Sequence, residues 1–259
     1  MNKSLVALAG ALALTALPSI SQAQGSPLSF NASLTSDYRY RGISQTRLKP
    51  ALQGGVDYAL PAGFYIGAWG STIKWIKDAS AFNGNQDTGS TPVEIDLYGG
   101  YKAEINKNLS YDVGLLQYLY PGNKFKDVGA DNANTTEIYG ALTFGPATLK
   151  YSHSLTSLFG TANATTDSKG SGYLDLTANF DVGGGVTLTP HVGRQRIAGF
   201  GTFSYTDYSL TAAIDLVGFT FSAAAIGTDA KVNGVASFQS PAGKDLGTAG
   251  LVIAAKKVF

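Results

Sequence analysis

From Leu28 to Arg41 the chain alternates between two kinds of side chain. Leu28, Phe30, Ala32, Leu34, Ser36, Tyr38 and Tyr40 form one set, and Ser29, Asn31, Ser33, Thr35, Asp37, Arg39 and Arg41 the other. A period of two sends successive side chains to opposite faces of a pleated strand, so this stretch predicts a strand with one apolar and one polar face. In a soluble sandwich the apolar face would be the core side. In a membrane barrel it faces lipid, and the polar face lines the lumen.

The same unit repeats along the chain. Leu52, Gly54, Val56, Tyr58 and Leu60 alternate with Gln53 and Asp57, and Pro61-Ala62-Gly63 turns into a third strand, Phe64 to Trp75, of ambiguous facing. Val93, Ile95, Leu97, Gly99, Tyr101, Ala103 and Ile105 alternate with Glu94, Asp96, Tyr98, Lys102 and Glu104. A turn at Asn106-Lys107-Asn108 then leads into Leu109, Tyr111, Val113 and Leu115, opposed by Ser110, Asp112 and Gly114. Further hairpins follow: Thr136–Phe144 with Ala147–Ser157, Tyr173–Val182 with Val186–Ile197, and Ser204–Leu216 with Phe219–Gly227. A last strand runs from Gly247 to Phe259. This makes about twelve strands of the length that a tilted membrane strand needs.

The connections alternate as well. Links at Pro61, Asn106, Gly145, Gly183 and Val217 are a few residues long, whereas 42–49, 76–92, 121–135, 158–172, 198–203 and 228–246 are longer and polar. Short turns at one end and long loops at the other predict an all-β, up-and-down antiparallel transmembrane barrel with short periplasmic turns and longer extracellular loops. Aromatics cluster near both sets of links. Phe30, Phe64, Phe144, Phe180, Phe219 and Phe259 lie by short turns or termini, and Tyr38, Tyr40, Trp75, Tyr118, Tyr120 and Tyr205 by long loops. Two interfacial belts are the expectation.

The first residues read as a secretory leader. Lys3 precedes an uncharged apolar run from Leu5 to Leu17, Pro18 breaks it, and Ser21-Gln22-Ala23 offers a cleavage site, so residues 1–23 are expected to be removed and 24–259 to form one barrel domain. The run is shorter than the roughly 20 residues of a spanning helix. Loss of Lys3 from 19 basic residues balances the 18 acidic ones. Nucleic acid is therefore not an expected partner. With no cysteine, neither disulfides nor thiolate ligands hold the fold.

Chemistry must then come from the polar face. The expected lumen-lining residues are Asp37, Asp57, Glu94, Asp96, Glu104, Asp112, Glu137, Asp175, Asp181, Asp207 and Asp215, against Arg39, Arg41, Lys74, Lys102 and Lys150. Rings of like charge select ions, so an acidic interior predicts a mild preference for cations. Arg39 and Arg41 beside Asp37 could hold acidic solutes or lipopolysaccharide phosphate through their guanidinium forks. An internal salt bridge fixing the first strand is the simpler reading. Ser152-His153-Ser154 pairs an imidazole with hydroxyls, but neighbours on a strand face opposite ways, and no enzyme is expected. Neither a zinc spacing nor a calcium loop is apparent, and no cofactor is expected.

The strings Ser33-Leu34-Thr35-Ser36-Asp37-Tyr38-Arg39-Tyr40-Arg41-Gly42, Gln53-Gly54-Gly55-Val56-Asp57-Tyr58, Gly63-Phe64-Tyr65-Ile66-Gly67-Ala68-Trp69-Gly70-Ser71 and Glu94-Ile95-Asp96-Leu97-Tyr98-Gly99-Gly100-Tyr101 resemble the TorF-type family of proteobacterial outer-membrane porins. The resemblance implies a Gram-negative outer-membrane protein with a channel role and transfers no binding residues. Terminal Phe259, with Leu251, Ile253 and Ala255 on its parity, is similar to the signal read by the barrel-assembly machinery, although Lys257 departs from it. The expected function is passive diffusion of small hydrophilic solutes or ions, in contact with outer-membrane lipids and lipopolysaccharide. The alternative is a closed, plugged barrel with a structural or adhesive role through its loops, because about twelve strands fall between the filled eight-stranded and the open sixteen-stranded barrels.

Overall fold

The computed structural model describes residues 26–259, so the leader and its cleavage after Ala23 lie outside the described residues. Twelve strands form one closed antiparallel barrel: β1 (Leu28–Thr35), β2 (Ala51–Ala59), β3 (Phe64–Thr72), β4 (Val93–Asn106), β5 (Leu109–Leu119), β6 (Thr135–Phe144), β7 (Ala147–Ser154), β8 (Gly172–Ala178), β9 (Val186–Arg196), β10 (Tyr205–Leu216), β11 (Phe219–Thr228) and β12 (Gly250–Val258). Each strand pairs with its neighbours in sequence, and β1 with β12 closes the ring, Asn31 opposite Val258 and Thr35 opposite Ala254. Closure removes every sheet edge, the condition for backbone groups to be satisfied in hydrocarbon.

The polarity is inverted. Leu34, Leu52, Phe64, Leu115, Leu142, Leu210 and Leu251 are exposed around the outside, while Asp57, Glu94, Glu137, Lys150, Asp175 and Asp207 are buried inside. A soluble barrel does the opposite, so the apolar exterior is the lipid-facing surface. All five tight turns and both ends of the barrel chain lie at one rim, where Phe259 N–H donates to the Phe30 carbonyl at 2.8 Å. The six long connections gather at the other rim, and one of them contains the helix α1 (Trp75–Phe82).

Two expected strand boundaries need correction. The first strand does not continue to Arg41: β1 stops at Thr35, and residues 36–50 turn into the barrel. The third strand likewise stops at Thr72, and Trp75 opens α1. In the first of these places the side chains stop alternating between lipid and lumen, since Tyr38, Arg39 and Arg41 are all buried. The belt beside the short turns is in place, with Phe30, Phe64, Phe144, Phe180, Phe219 and Phe259 exposed, and the Lys257 ammonium lies 5.1 and 5.2 Å from the Phe219 and Phe259 rings. The expected outer belt is not. Tyr38, Tyr118, Tyr120 and Tyr205 are buried inside, where they help build two apolar clusters.

Candidate functional site

The inward-turning segment carries a two-stranded hairpin in which Arg39–Tyr40 pairs with Ile43–Ser44. Arg41 (φ 45°) and Gly42 (φ 80°) form its tip, and two successive positive φ values are what a type I′ turn requires. A Cβ on Gly42 would meet Thr228 Cγ2 at 2.4 Å and Asp207 Cβ at 2.8 Å, so only glycine lets the tip seat against the wall. At its base, the Arg39 Nε donates to Asp37 Oδ2 at 2.6 Å and its Nη1 to the carbonyls of Gly42 and Thr248 at 3.0 and 2.8 Å. Asp37 Oδ1 accepts from the hydroxyls of Ser44 and Thr46. Arg39 and Asp37 thus form an internal ion pair, one that holds the hairpin rather than the first strand.

Arg41 reaches the far wall. Its Nη2 donates to both Glu137 oxygens on β6, at 3.0 and 2.8 Å, and its Nη1 to Gln195 Oε1 on β9 at 2.6 Å. Its guanidinium carbon stands 4.2 Å from the Tyr173 ring centre on β8 and 4.7 Å from that of Tyr40. A planar guanidinium that reaches two acceptors with separate nitrogens while stacked on aromatic faces suits arginine over lysine. The Tyr38 and Tyr120 hydroxyls donate to the two oxygens of Glu94, at 2.5 and 2.6 Å, tying the hairpin to β4. The outer half of the lumen is therefore crossed by a side chain latched to the opposite side of the barrel.

Deeper in the wall one arrangement occurs three times. Tyr98 on β4 lies across Gly67 on β3, and its hydroxyl donates to Asp57 on β2 at 2.6 Å. Tyr65 on β3 lies across Gly100 on β4 and donates to Asp112 on β5 at 2.6 Å. Tyr173 on β8 lies across Gly193 on β9 and donates to Asp207 on β10 at 3.0 Å. A tyrosine is long enough to pass over one strand and bond to the next only where that strand has no side chain. Tyr139 crosses Gly114 in the same way and its hydroxyl meets that of Tyr65.

Of the residues expected in the lumen, Asp57, Glu94, Asp96, Glu137, Lys150, Asp175 and Asp207 are buried on inward-facing positions of the strands, and Asp112 is half-buried there. The Lys150 ammonium sits 4.3 Å from the Tyr139 ring centre. Lys102, Glu104, Asp181 and Asp215 are exposed at or beside the tight-turn rim, where Asp215 accepts from Thr220 and Asp181 caps the backbone of Gly183. Lys74 lies outside this set, exposed before α1, since β3 ends two residues earlier. Three contributors carry no acidic or arginine signal: Lys256, His191 and Gln195. His191 Nε2 is 3.0 Å from Asp175 Oδ2 and 3.1 Å from the Tyr173 hydroxyl. The inward parity of β9, through Thr187, Thr189 and Gly193, is the signal that places His191 and Gln195.

Above the latch, among the long loops, is a half-enclosed cavity of about 500 Å³. Trp75, Tyr120, Phe125 and Phe159 form one wall, with ring centres 4.9 to 6.2 Å apart for the pairs that touch. Ile43, Tyr205, Leu246 and Phe238 form the other. Tyr40 and Gln195, which both contact Arg41, line it where it meets the latch.

The fold is that of porins. One similar solved structure is "KdgM porin in complex with disordered oligogalacturonate", with a TM-score of 0.53 and 8% identity, covering 90% of this chain and 98% of that one. Another is the NanC porin, with a TM-score of 0.52 and 8% identity, covering 89% and 98%. Identity this low carries the architecture and nothing of the cargo. No curated protein matches the sequence. The family model described as "Bacterial protein of unknown function (Gcw_chp)" matches residues 21–259. With that match spanning nearly the whole chain, the protein belongs to the Gcw_chp family, and its barrel is porin-like.

Proposed function

We propose that this chain is a channel of the Gram-negative outer membrane, of the TorF type, through which small hydrophilic solutes or ions diffuse passively. The observation that carries this reading is the inverted barrel: an apolar exterior encloses an interior lined with ionisable side chains from the level of Glu94 and Asp207 to the rim at Glu104 and Asp215. Such an interior suits water and ions. Carboxylates outnumber cationic groups along it, so the flux favours cations or neutral solutes. The inner hairpin narrows the outer half and makes this a restricted channel rather than a wide pore. Outer-membrane lipid and lipopolysaccharide surround it, and Phe259 is the mark read by the barrel-assembly machinery.

A second reading, a closed barrel acting through its outer loops in a structural or adhesive role, is favoured by the latch itself, because Arg41 spans the lumen to Glu137. Planar-bilayer recording from the refolded chain separates the two. The channel reading predicts discrete steps with a reversal potential favouring cations, and steps that enlarge in Arg41→Ala as the hairpin loosens. Silence in both proteins, each shown to be folded, would support the closed barrel.

A further inference from the structure

The apolar lining of the outer cavity is not explained by conduction. Ionisable groups line much of the barrel below it, whereas here aromatic rings gather on the inside of a molecule whose exposed apolar side chains largely face lipid. Its volume, about 500 Å³, falls in the range of small-molecule pockets, roughly 300 to 1,000 Å³, and is too small for a folded segment of another protein. Among the described residues, the charged groups lining it are Arg47 and Asp78, which pair with each other and leave the lining without net charge. Two side-chain amides supply polarity without charge. Gln45 donates one amide end to the Ile43 carbonyl and Gln239 to the Ala236 carbonyl, which leaves the other end of each for a partner.

We infer that this cavity is a binding site for an uncharged, largely apolar ring compound bearing a hydroxyl or N–H group, of the phenol or indole kind. The ring would take the edges and faces of Trp75, Phe159 and Phe238, where aromatic contacts contribute beyond area alone, and its polar hydrogen would reach a glutamine amide. Because Tyr40 and Gln195 line the cavity and also hold Arg41, the ligand would sit against the latch. Its role as the first stop for the solute the barrel admits rests on the channel reading; the binding itself does not.

Trp75 lines the cavity and the chain has one other tryptophan, Trp69, which packs on Tyr38 in the lumen. In the full mature chain carrying Trp69→Phe, placed in lipid nanodiscs, Trp75 emission reports the site alone. Phenol should change that emission saturably, while glucose, benzoate and benzylamine should not. Ala79→Phe, which adds a ring at the lining of the cavity from α1, should weaken phenol binding by about tenfold or more, equivalent to roughly 1.4 kcal/mol. A linear, unsaturating response, an equal response to glucose or to either charged analogue, or no effect of Ala79→Phe would overturn the assignment. Conductance of the same protein in a planar bilayer keeps the two readings apart. Steps without phenol binding remove the site and leave the channel; phenol binding without steps removes the channel and leaves the site.

Discussion

The residue that recurs in the lumen is a tyrosine laid flat over a glycine. Each such ring covers backbone that would otherwise be bare and delivers its hydroxyl to a carboxylate two strands away, as Tyr173 does to Asp207. The glycine is a necessity of space: a Cβ on Gly193 would stand 1.9 Å from the Tyr173 hydroxyl oxygen and 2.4 Å from its ring carbon Cζ. Gly193→Ala should therefore displace the ring from both Asp207 and Arg41 and destabilise the barrel by about 1 to 3 kcal/mol, the usual cost of overpacking. Gly140→Ala is the control, because the nearest atom to its Cβ is Val113 Cγ1 at 3.9 Å. There the change should be within about 1 kcal/mol and toward greater stability, through the unfolded chain. Urea unfolding of the two variants in lipid vesicles checks the contrast; equal losses would mean that the tyrosines are not held by these contacts. The alternation of Glu94, Asp96 and Tyr98 already shows the inward side of β4. The reach of Tyr98 across β3 to Asp57 is not legible, because it depends on strand pairing that the sequence pattern leaves unspecified.

At the scale of elements, the inner hairpin decides the state of the lumen. Its latch is a buried ion pair, and removing one partner strands the other in a site made to hold a charge. Glu137→Ala should cost about 3 to 5 kcal/mol, whereas the double change Arg41→Met with Glu137→Leu should cost much less, since it leaves no unpaired charge. Unfolding in vesicles again measures both, and a double variant as unstable as the single one would show that the pair is not the source of the loss. The twelve strands were legible from period and turn length alone. The hairpin was not, because alternation from Ser36 to Arg41 continues the pattern of β1 while the backbone leaves the wall. One clue was present. Leu116, Ala224, Ile226 and Val252 stand on inward positions where water would favour polar side chains, and all are buried. Apolar residues facing a lumen mean that something packs there, here in part Tyr38 and Asp37, which line a space of only about 20 Å³ with Ala224, Ile226 and Val252. The same parity places Tyr118 and Tyr120 inside with Leu116, although their position beside a loop suggests an interfacial belt.

For the whole molecule, charge is nearly balanced over the sequence, at a net +1, and uneven in space. Acidic groups lie along the inner wall and at the tight-turn rim, while several basic ones, among them Lys74, Arg194 and Arg196, are exposed near the long loops. Neutralising Asp57, Glu104 and Asp215 to their amides should lower cation preference without closing the channel, because none of them contacts the hairpin. A reversal potential unchanged by the triple substitution would place the filter elsewhere.

The most direct test is single-channel recording from the refolded barrel, residues 24–259, under a salt gradient, alongside Arg41→Ala. A latched, cation-preferring channel gives small cation-favouring steps in the wild type and larger ones once the latch is cut. Steps that favour chloride, or an Arg41→Ala protein that is folded and conducts no better than the wild type, would contradict it.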